Sequence, residues 1–184
     1  SNSDNITSLT TNLTISGTSD ANDTITLTSD QDGPLGSTTA NGAGAWTIDI
    51  SLTANLTHAV TAVATDTAGN TSAASAALNI TIDTNIPNAP ASLDLDAADD
   101  TGDSSSDNIT KNTTNLTISG TSDPNMTITV YSDQDGTVDT TTADGAGNWT
   151  VDISLTANLT HSVTAVATDT AGNTSVSSAP LSIT

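Results

Sequence analysis

The 184-residue chain has no cysteine and no phenylalanine, and Lys111 is its only lysine or arginine. Without cysteine, no disulfide can stabilise the fold. A single basic side chain cannot neutralise a phosphate backbone, which excludes nucleic acid as a partner. The chain contains no apolar run of about 18 residues and no basic segment preceding an apolar one. We therefore predict no membrane insertion and no secretion signal within this sequence.

Catalytic chemistry also lacks its usual residues. His58 and His161 are the only histidines, and they occupy equivalent positions in two similar halves of the chain. Zinc sites and nucleophilic triads need more ligands or partners than this, and no pair of acids stands apart as a general acid and base. We predict that the chain is not an enzyme and has no small-molecule substrate. Both histidines are assigned a structural role.

Negative charge is what the sequence has in excess. All 21 acidic residues are aspartate, and the formal net charge is −20. Aspartate suits turns, and its short side chain brings a carboxylate close to backbone carbonyls, which is the environment that a hard cation prefers. Unneutralised charge of this size destabilises a compact state. The composition therefore predicts Ca²⁺ as a cofactor, with several ions per repeat.

The chain is an internal repeat. Ser1–Thr81 aligns with Ser104–Thr184 without a gap, and NLTISGTSD and TAVATDTAGNTS each occur twice. Repetition at this spacing indicates a tandem array. We predict domains at residues 1–84 and 85–184. The first copy has no counterpart of residues 85–103, so we expect a domain without its opening strand, taken from a longer array.

Short alternating runs of Thr, Ile and Val, separated by Asp, Gly and Asn clusters, predict an all-β fold of two tandem β-sandwiches. In the second copy we place about seven strands, near residues 92–95, 116–120, 127–132, 138–143, 149–154, 162–168 and 175–183. Alternation predicts inward-facing side chains at positions 116, 118, 128, 130, 149, 151, 153, 163, 165 and 167. The prolines of DTNIPNAP, residues 83–90, predict a short, stiff linker.

The densest candidate metal site is the loop DLDAADDTGDSSSDN. Its carboxylates would repel one another without a cation. The alternative is a solvated acidic loop. The candidate ligands here are Asp94, Asp96, Asp99, Asp100, Asp103 and Asp107.

A second candidate is the SDQDG motif, with Asp30 and Asp32 in the first copy and Asp133 and Asp135 in the second. It resembles the start of a calcium loop but lacks the later carboxylate of an EF-hand. An ordinary Asp-Gly turn explains it equally well.

A third candidate depends on topology. The loops TSDPN, ADGAGN and TDTAGN should gather at the end where the chain enters the second sandwich, and a calcium ion there could clamp the joint to the linker. Simple turns are the alternative interpretation. The candidate ligands are Asp83, Asn85, Asp123, Asp144, Asp169 and Asn173, with Asp20 and Asp66 as counterparts in the first copy.

The motifs ISGTSDPN, DGAGNW, VATDTAGNTS and, most specifically, LDLDAADDTGDSSSDNIT make the chain resemble the calcium-dependent immunoglobulin-like extender repeats of giant RTX adhesins. The resemblance covers the whole chain and implies an immunoglobulin-like sandwich. It also implies a calcium site within the domain at Asp94, Asp100 and Asp107, and one at the joint with Asp83, Asp123 and Asp169.

The first copy departs from this pattern because Asp4 alone remains of the acidic opening loop, so its internal site should be incomplete. The GGxGxD repeats that give RTX proteins their name are also absent.

The resulting hypothesis is a spacer of a large adhesin on the bacterial surface, outside the cell, involved in attachment and biofilm formation. Calcium makes the rod rigid, neighbouring repeats are the partners, and we expect a monomer. Two alternatives stay open. The repeats could bind a glycan or protein as accessory modules, although the sequence has few aromatics for sugar stacking. They could also adhere to one another in a calcium-dependent manner.

Overall fold

The computed structural model describes residues 4–184, which form two compact units, one ending at Asn85 and the next beginning at Ile86. Both units consist of β-strands joined by turns and loops, as the alternating sequence predicts. The all-β prediction of two immunoglobulin-like sandwiches is therefore confirmed. Among residues 4–184, no helix is long and apolar enough to cross a membrane.

The first unit contains seven strands in its described residues. One sheet has the order β1-β7-β6-β3-β4, and β2 pairs with β5 in a second, two-stranded sheet. The strands are β1 (Ile6–Thr7), β2 (Leu13–Thr18), β3 (Thr24–Ser29), β4 (Gly33–Thr39), β5 (Ala45–Ile50), β6 (Leu56–Thr65) and β7 (Leu78–Ile82).

The second unit also has seven strands, arranged as a four-stranded sheet of order β11-β10-β13-β14 and a three-stranded sheet of order β12-β9-β8. The strands are β8 (Ala91–Leu95), β9 (Leu116–Thr121), β10 (Thr127–Ser132), β11 (Gly136–Thr142), β12 (Asn148–Ile153), β13 (His161–Thr168) and β14 (Leu181–Ile183). Six of the seven predicted strands agree with these bounds to within about two residues.

The core of the second unit lies between its two sheets. Its β-strands place alternate side chains inward because successive residues on a strand face opposite sides. All ten inward-facing positions predicted from the sequence are buried there, including Trp149 and Ile118. Leu95 of β8 and Leu155 complete the packing.

The predicted strand over residues 175–183 is wrong in its first part, because only Leu181–Ile183 forms a strand. Before it, Ser175 and Ser178 donate their N–H groups to the carbonyls of Ala167 and Ala165, but their hydroxyls take the place of the backbone acceptors. The N–H of Ala167 donates to Ser175 Oγ, and that of Ala165 donates to Ser178 Oγ. The step from Ser175 to Ser178 spans three residues opposite two on β13, so a regular register cannot continue.

The linker is anchored at both ends by side-chain amides and carboxylates. Thr84 donates its N–H to Asn55 Oδ1 in the first unit, and Asn88 donates its N–H to Asp123 in the second. These contacts account for polar backbone groups that a strand would otherwise pair. The stiffness of the linker stays a prediction.

Candidate metal centre

Asp100 is the one buried carboxylate of the described residues, with 4% of its surface exposed. It lies in the acidic loop that follows β8. Its Oδ2 accepts a hydrogen bond from the N–H of Asn108 at 2.9 Å, whereas its buried Oδ1 has no hydrogen-bond partner. A buried carboxylate oxygen without a partner is costly unless a cation or donor neutralises it. Among the candidate ligands, Asp100 is therefore the one whose surroundings leave a buried carboxylate oxygen unpaired.

The chain folds back on itself around Asp100. Gly102 donates its N–H to the carbonyl of Ile109 at 2.9 Å, and a Cβ at Gly102 would lie 2.9 Å from that oxygen and 3.5 Å from Asp107 Oδ1. The two limbs of the loop are thus too close for a larger residue than glycine. This close approach brings the Asp107 carboxylate to the same loop as Asp100.

The other carboxylates of the loop have local roles or face solvent. Asp96 Oδ1 accepts the N–H of Ala98, and Asp99 Oδ2 accepts the N–H of Thr117, which ties the loop to β9. Asp94, Asp96, Asp103 and Asp107 are exposed. The loop therefore contains one buried carboxylate surrounded by more exposed ones.

The SDQDG motifs form the turns between β3 and β4 and between β10 and β11. In the first unit, Asp30 Oδ1 accepts the N–H of Ala59, and the two oxygens of Asp32 accept the N–H and hydroxyl of Thr53. Asp133 and Asp135 make the same bonds to Ser162 and Thr156 in the second unit. These aspartates join the turn to neighbouring segments of the fold.

These bonds alter the acidity of the turn aspartates. The Thr53 hydroxyl and then its N–H lower the pKa of Asp32 below its usual value, and the Thr156 hydroxyl and N–H do the same for the pKa of Asp135. Hydrogen bonds donated to a carboxylate favour its charged form. A function as turn cross-links thus explains the motif without a metal ion.

Behind each SDQDG turn lies a buried histidine, a residue to which the sequence analysis assigned a structural role without identifying its partners. Ser132 Oγ accepts the N–H groups of Gln134 and Asp135 and lies 2.9 Å from His161 Nδ1. His161 Nε2 lies 2.8 Å from the carbonyl of Thr156. Because that carbonyl needs a donor, Nε2 carries a proton. Nδ1 faces both Ser132 Oγ and Asp135 Oδ2, the latter at 3.3 Å. Ser29 and His58 repeat the arrangement in the first unit.

The predicted loop cluster of the second unit does share one end of the sandwich. Thr121 pairs with both Ala91 and Asn148, and Thr127 pairs with Thr142 and Thr168. The loops that follow β9, β11 and β13 therefore lie at the end where the chain enters, as the topological argument predicts.

The candidate ligands in those loops accept local hydrogen bonds. Asp123 binds the N–H and side-chain amide of Asn88, and the Asn88 N–H lowers the pKa of Asp123. Asp144 Oδ1 accepts from Ala146 and Asn148, and Asp169 accepts from Asn173. The bonds of Asp144 and Asp169 are those that tight Asx turns make, whereas Asp123 and Asn88 lie 35 positions apart in the chain.

The candidates of the first unit follow the same pattern. Asp66 binds Asn70 as Asp169 binds Asn173, Asp83 Oδ1 accepts from the N–H and side chain of Asn85, and Asp20 is exposed. Within residues 4–184, no three His, Cys, Asp or Glu side chains stand together as a metal-binding group. The predicted ligand sets therefore stay predictions, with Asp100 the strongest position among them.

A family model relates the chain to known proteins. The model of the bacterial Ig-like domain family matches residues 1–84 and again residues 86–184. The chain belongs to this family. Comparison with curated proteins gives no match.

Solved structures share the fold with this bacterial Ig-like chain. The fibronectin(III)-like modules of CbhA from Clostridium thermocellum match with a TM-score of 0.54 and 16% identity, over 97% of this chain and 86% of theirs. The BSP domain of a biofilm associated protein matches with a TM-score of 0.35 and 19% identity, over 97% of this chain and 28% of that one.

A Ca²⁺-stabilized adhesin, with which an Antarctic bacterium reaches out and binds ice, matches with a TM-score of 0.44 and 24% identity, over 93% of this chain and 42% of that one. This chain therefore spans less than half the length of either adhesion-related structure. Of these three structures, the CbhA modules alone exceed a TM-score of 0.5, and at 16% identity that likeness concerns the fold.

Proposed function

We propose that this bacterial Ig-like pair is a spacer in a large adhesin on the bacterial surface, and that calcium makes it rigid. Its partners are neighbouring repeats of the same chain, and its function is to hold a distal binding domain away from the cell. No catalysis is involved. Tandem repetition, the sandwich fold and a net charge of −20 support this proposal.

The observation that carries the proposal is the buried Asp100 carboxylate with its unpartnered Oδ1. Burying a charged carboxylate lowers the free energy of unfolding unless the folded state supplies a counter-charge. With oxygen the only ligand type in the loop, calcium is the cation that fits best. A bound ion would neutralise the carboxylates and bind only the folded loop, which couples metal binding to stability.

The residues that would hold this ion are Asp100 and Asp107, which the fold brings to one loop, together with backbone carbonyls. Asp94, Asp96 and Asp103 remain further candidates in the same loop. We extend the proposal to the joint, where Asp123, Asp144 and Asp169 share one end of the second unit and Asp83 and Asn85 lie in the linker. A calcium ion bound there would hold the two domains at a fixed angle.

Sugar binding receives no support from the aromatic residues. Trp46 and Trp149 are both buried, and Tyr131 is partly buried. Accessory sugar-binding modules usually present exposed aromatic faces.

The test follows each unit separately in the full chain through its own tryptophan indole N–H signal in NMR, Trp46 for the first unit and Trp149 for the second. Thermal unfolding is recorded in EDTA and in about 1 mM calcium, the range of extracellular calcium modules. At 100 times the dissociation constant, binding adds about 2.7 kcal/mol. That corresponds to a rise of roughly 10–20 °C in the Tm of the second unit.

Asp100→Asn should abolish most of this rise, because it removes the buried charge while keeping the shape of the side chain. Asp139→Asn is the matched control, since it removes an exposed aspartate of the same unit, on β11. The first unit, which has no counterpart of Asp100, should respond less. A calcium effect that is equal in wild type and Asp100→Asn would contradict the proposed site. Small-angle X-ray scattering of the full chain in the same two buffers reports on its shape. If calcium changes neither the stability nor the scattering profile, the rigid-spacer function loses its basis.

A further inference from the structure

The turn between β4 and β5 of the first unit carries an amide where the second unit carries a carboxylate. It reads NGAG over residues 41–44, whereas the equivalent turn reads DGAG over residues 144–147. Asn41–Gly42 is the only Asn-Gly pair in the sequence. A glycine after an asparagine leaves the next backbone nitrogen unhindered and conformationally free. That nitrogen can therefore reach the carbonyl carbon of the asparagine side chain.

The Asn41 side chain is held through its oxygen alone. Its Oδ1 accepts the N–H of Ala43 at 2.9 Å and that of Ala45 at 3.1 Å. Among residues 4–184, neither Asn41 Nδ2 nor the N–H of Gly42 has a hydrogen-bond partner, and both residues are exposed. The nitrogen that would attack the side chain and the nitrogen that would leave it are thus both unpaired.

The two N–H groups that hold Oδ1 also favour a reaction at this side chain. When a nitrogen adds to the side-chain carbonyl carbon, negative charge develops on Oδ1. Donors already directed at that oxygen stabilise such charge, as the N–H groups of an oxyanion hole do. Ala43 and Ala45 supply these donors from the backbone of the turn.

The second unit shows that a carboxylate fits this turn. Asp144 occupies the position of Asn41, and its Oδ1 accepts the N–H groups of Ala146 at 2.8 Å and Asn148 at 2.9 Å. The N–H of Asn148, followed by that of Ala146, lowers the pKa of Asp144, so the charged form is favoured there. Both turns also close with the same backbone bond, from the N–H of the fourth residue to the carbonyl of the first. An aspartate in the first unit would keep these contacts.

We propose that Asn41 is a site of spontaneous deamidation, with water as the co-reactant and aspartate as the product. The Gly42 nitrogen gives its proton to hydroxide and forms a bond to Cγ of Asn41. The Cγ–Nδ2 bond breaks, and Nδ2 takes a proton from water and leaves as ammonia. Water then opens the resulting succinimide ring. The change adds one negative charge to the net charge of −20.

Ring opening has two outcomes, and the fold distinguishes them. Opening at one carbonyl gives aspartate, whereas opening at the other gives isoaspartate, which adds a methylene group to the main chain. With isoaspartate, residue 41 could no longer both donate to the carbonyl of Ala45 and accept from the N–H of Gly44, as it does in the turn. Because isoaspartate can close the ring again, the product that keeps these bonds accumulates. We therefore expect aspartate as the main product in the folded chain.

The test incubates the full chain in EDTA at mildly alkaline pH and then digests it with a protease that cleaves before aspartate. One fragment covers residues 32–48, in which Asn41 is the only asparagine. Deamidation adds about 1 Da to this fragment, and formation of aspartate also creates a new cleavage point before residue 41, which isoaspartate does not. We expect the mass gain to be faster here than in any other fragment that contains asparagine.

Gly42→Ala is the matched control variant. Gly42 does not have a positive φ, and no atom lies within 4 Å of a Cβ placed on it, so the variant should keep the turn. Its methyl group hinders the approach of the nitrogen and should slow the mass gain at least about tenfold. Asn41→Asp represents the product, and it should keep the Trp46 indole signal of the folded first unit.

The proposal is overturned if residues 32–48 gain mass no faster than the other fragments with asparagine, or if Gly42→Ala gains it at the rate of wild type. Isoaspartate as the main product would overturn the assignment of aspartate. Loss of the folded Trp46 signal in Asn41→Asp would overturn it as well, because the turn would then not accept a carboxylate.

Discussion

At the residue level, aspartate serves two physical purposes in this chain. Asp32 is partly buried and Asp135 is exposed, and both hold turns together by accepting hydrogen bonds from Thr53 and Thr156. Asp100 is buried and lacks a partner for one oxygen. The first kind stabilises the fold through donors that the chain supplies, while the second is the position at which we propose a bound cation.

A change at Asp135 should reveal the first purpose as a dependence on pH. Its pKa is lowered in the folded state, so it contributes stability above the pKa of the unfolded chain, near 4, and loses it as pH falls through the lower folded value. We expect Asp135→Asn to destabilise the second unit at pH 6, and the difference from wild type to shrink below about pH 4. Urea unfolding in EDTA at several pH values measures this.

Asp139→Asn again serves as the control, since it removes the same charge from the same unit. It should show no comparable loss near pH 6. If the two variants have parallel pH profiles, the Thr156 hydrogen bonds do not tune Asp135 as the structure indicates.

The sequence indicated which loops contain candidate ligands, but it did not show which aspartate of a loop is buried. Aspartates in turns could be recognised from their spacing, but only the family resemblance, and no property of the two residues themselves, separated Asp100 from Asp99 beside it. Burial decides between them, and it depends on how residues 100–102 pack against residues 107–109. The partners of His161 were equally hidden, because Ser132 lies 29 positions away in the chain.

At the level of strands and segments, the segment before β14 shows where strand prediction fails. The core positions were predicted correctly because a strand alternates its faces with a period of two. Residues 175–180 contain β-compatible residues, but Ser175 and Ser178 bind β13 through their side chains. Such a substitution for the backbone ladder has no periodic pattern that could predict it.

This segment offers a comparison between the two units. In the second unit, Ser178→Ala would leave the buried N–H of Ala165 without its acceptor, which costs about 1–3 kcal/mol. In the first unit, the equivalent Ser75→Ala should cost less than about 1 kcal/mol, because Ser75 is exposed and water can replace its hydroxyl. Urea unfolding of the full chain, followed through the Trp149 and Trp46 indole signals, measures each unit.

Equal losses from the two substitutions would contradict the difference in exposure between Ser75 and Ser178.

At the level of the whole molecule, charge repulsion sets the conditions under which the fold is stable. A net charge of −20 with a single Lys or Arg leaves the aspartates without internal counter-charges. Exposed charges interact over about 10 Å at 0.1 M salt and about 3 Å at 1 M. Ordinary salt should therefore replace part, but only part, of what bound calcium supplies.

In EDTA, we expect the Tm of the chain to rise by several degrees as NaCl is increased from about 0.05 to 1 M, because screening relieves repulsion among exposed aspartates. Calcium at about 1 mM adds little ionic strength. If the Tm in calcium exceeds the Tm in NaCl of the same ionic strength, the difference reflects binding at specific carboxylates. Magnesium at the same concentration is the control for divalent screening, since it accommodates protein oxygen cages less readily. A Tm that ignores NaCl would show that repulsion is not limiting, and equal effects of calcium and magnesium would reduce the cation to a general counter-ion.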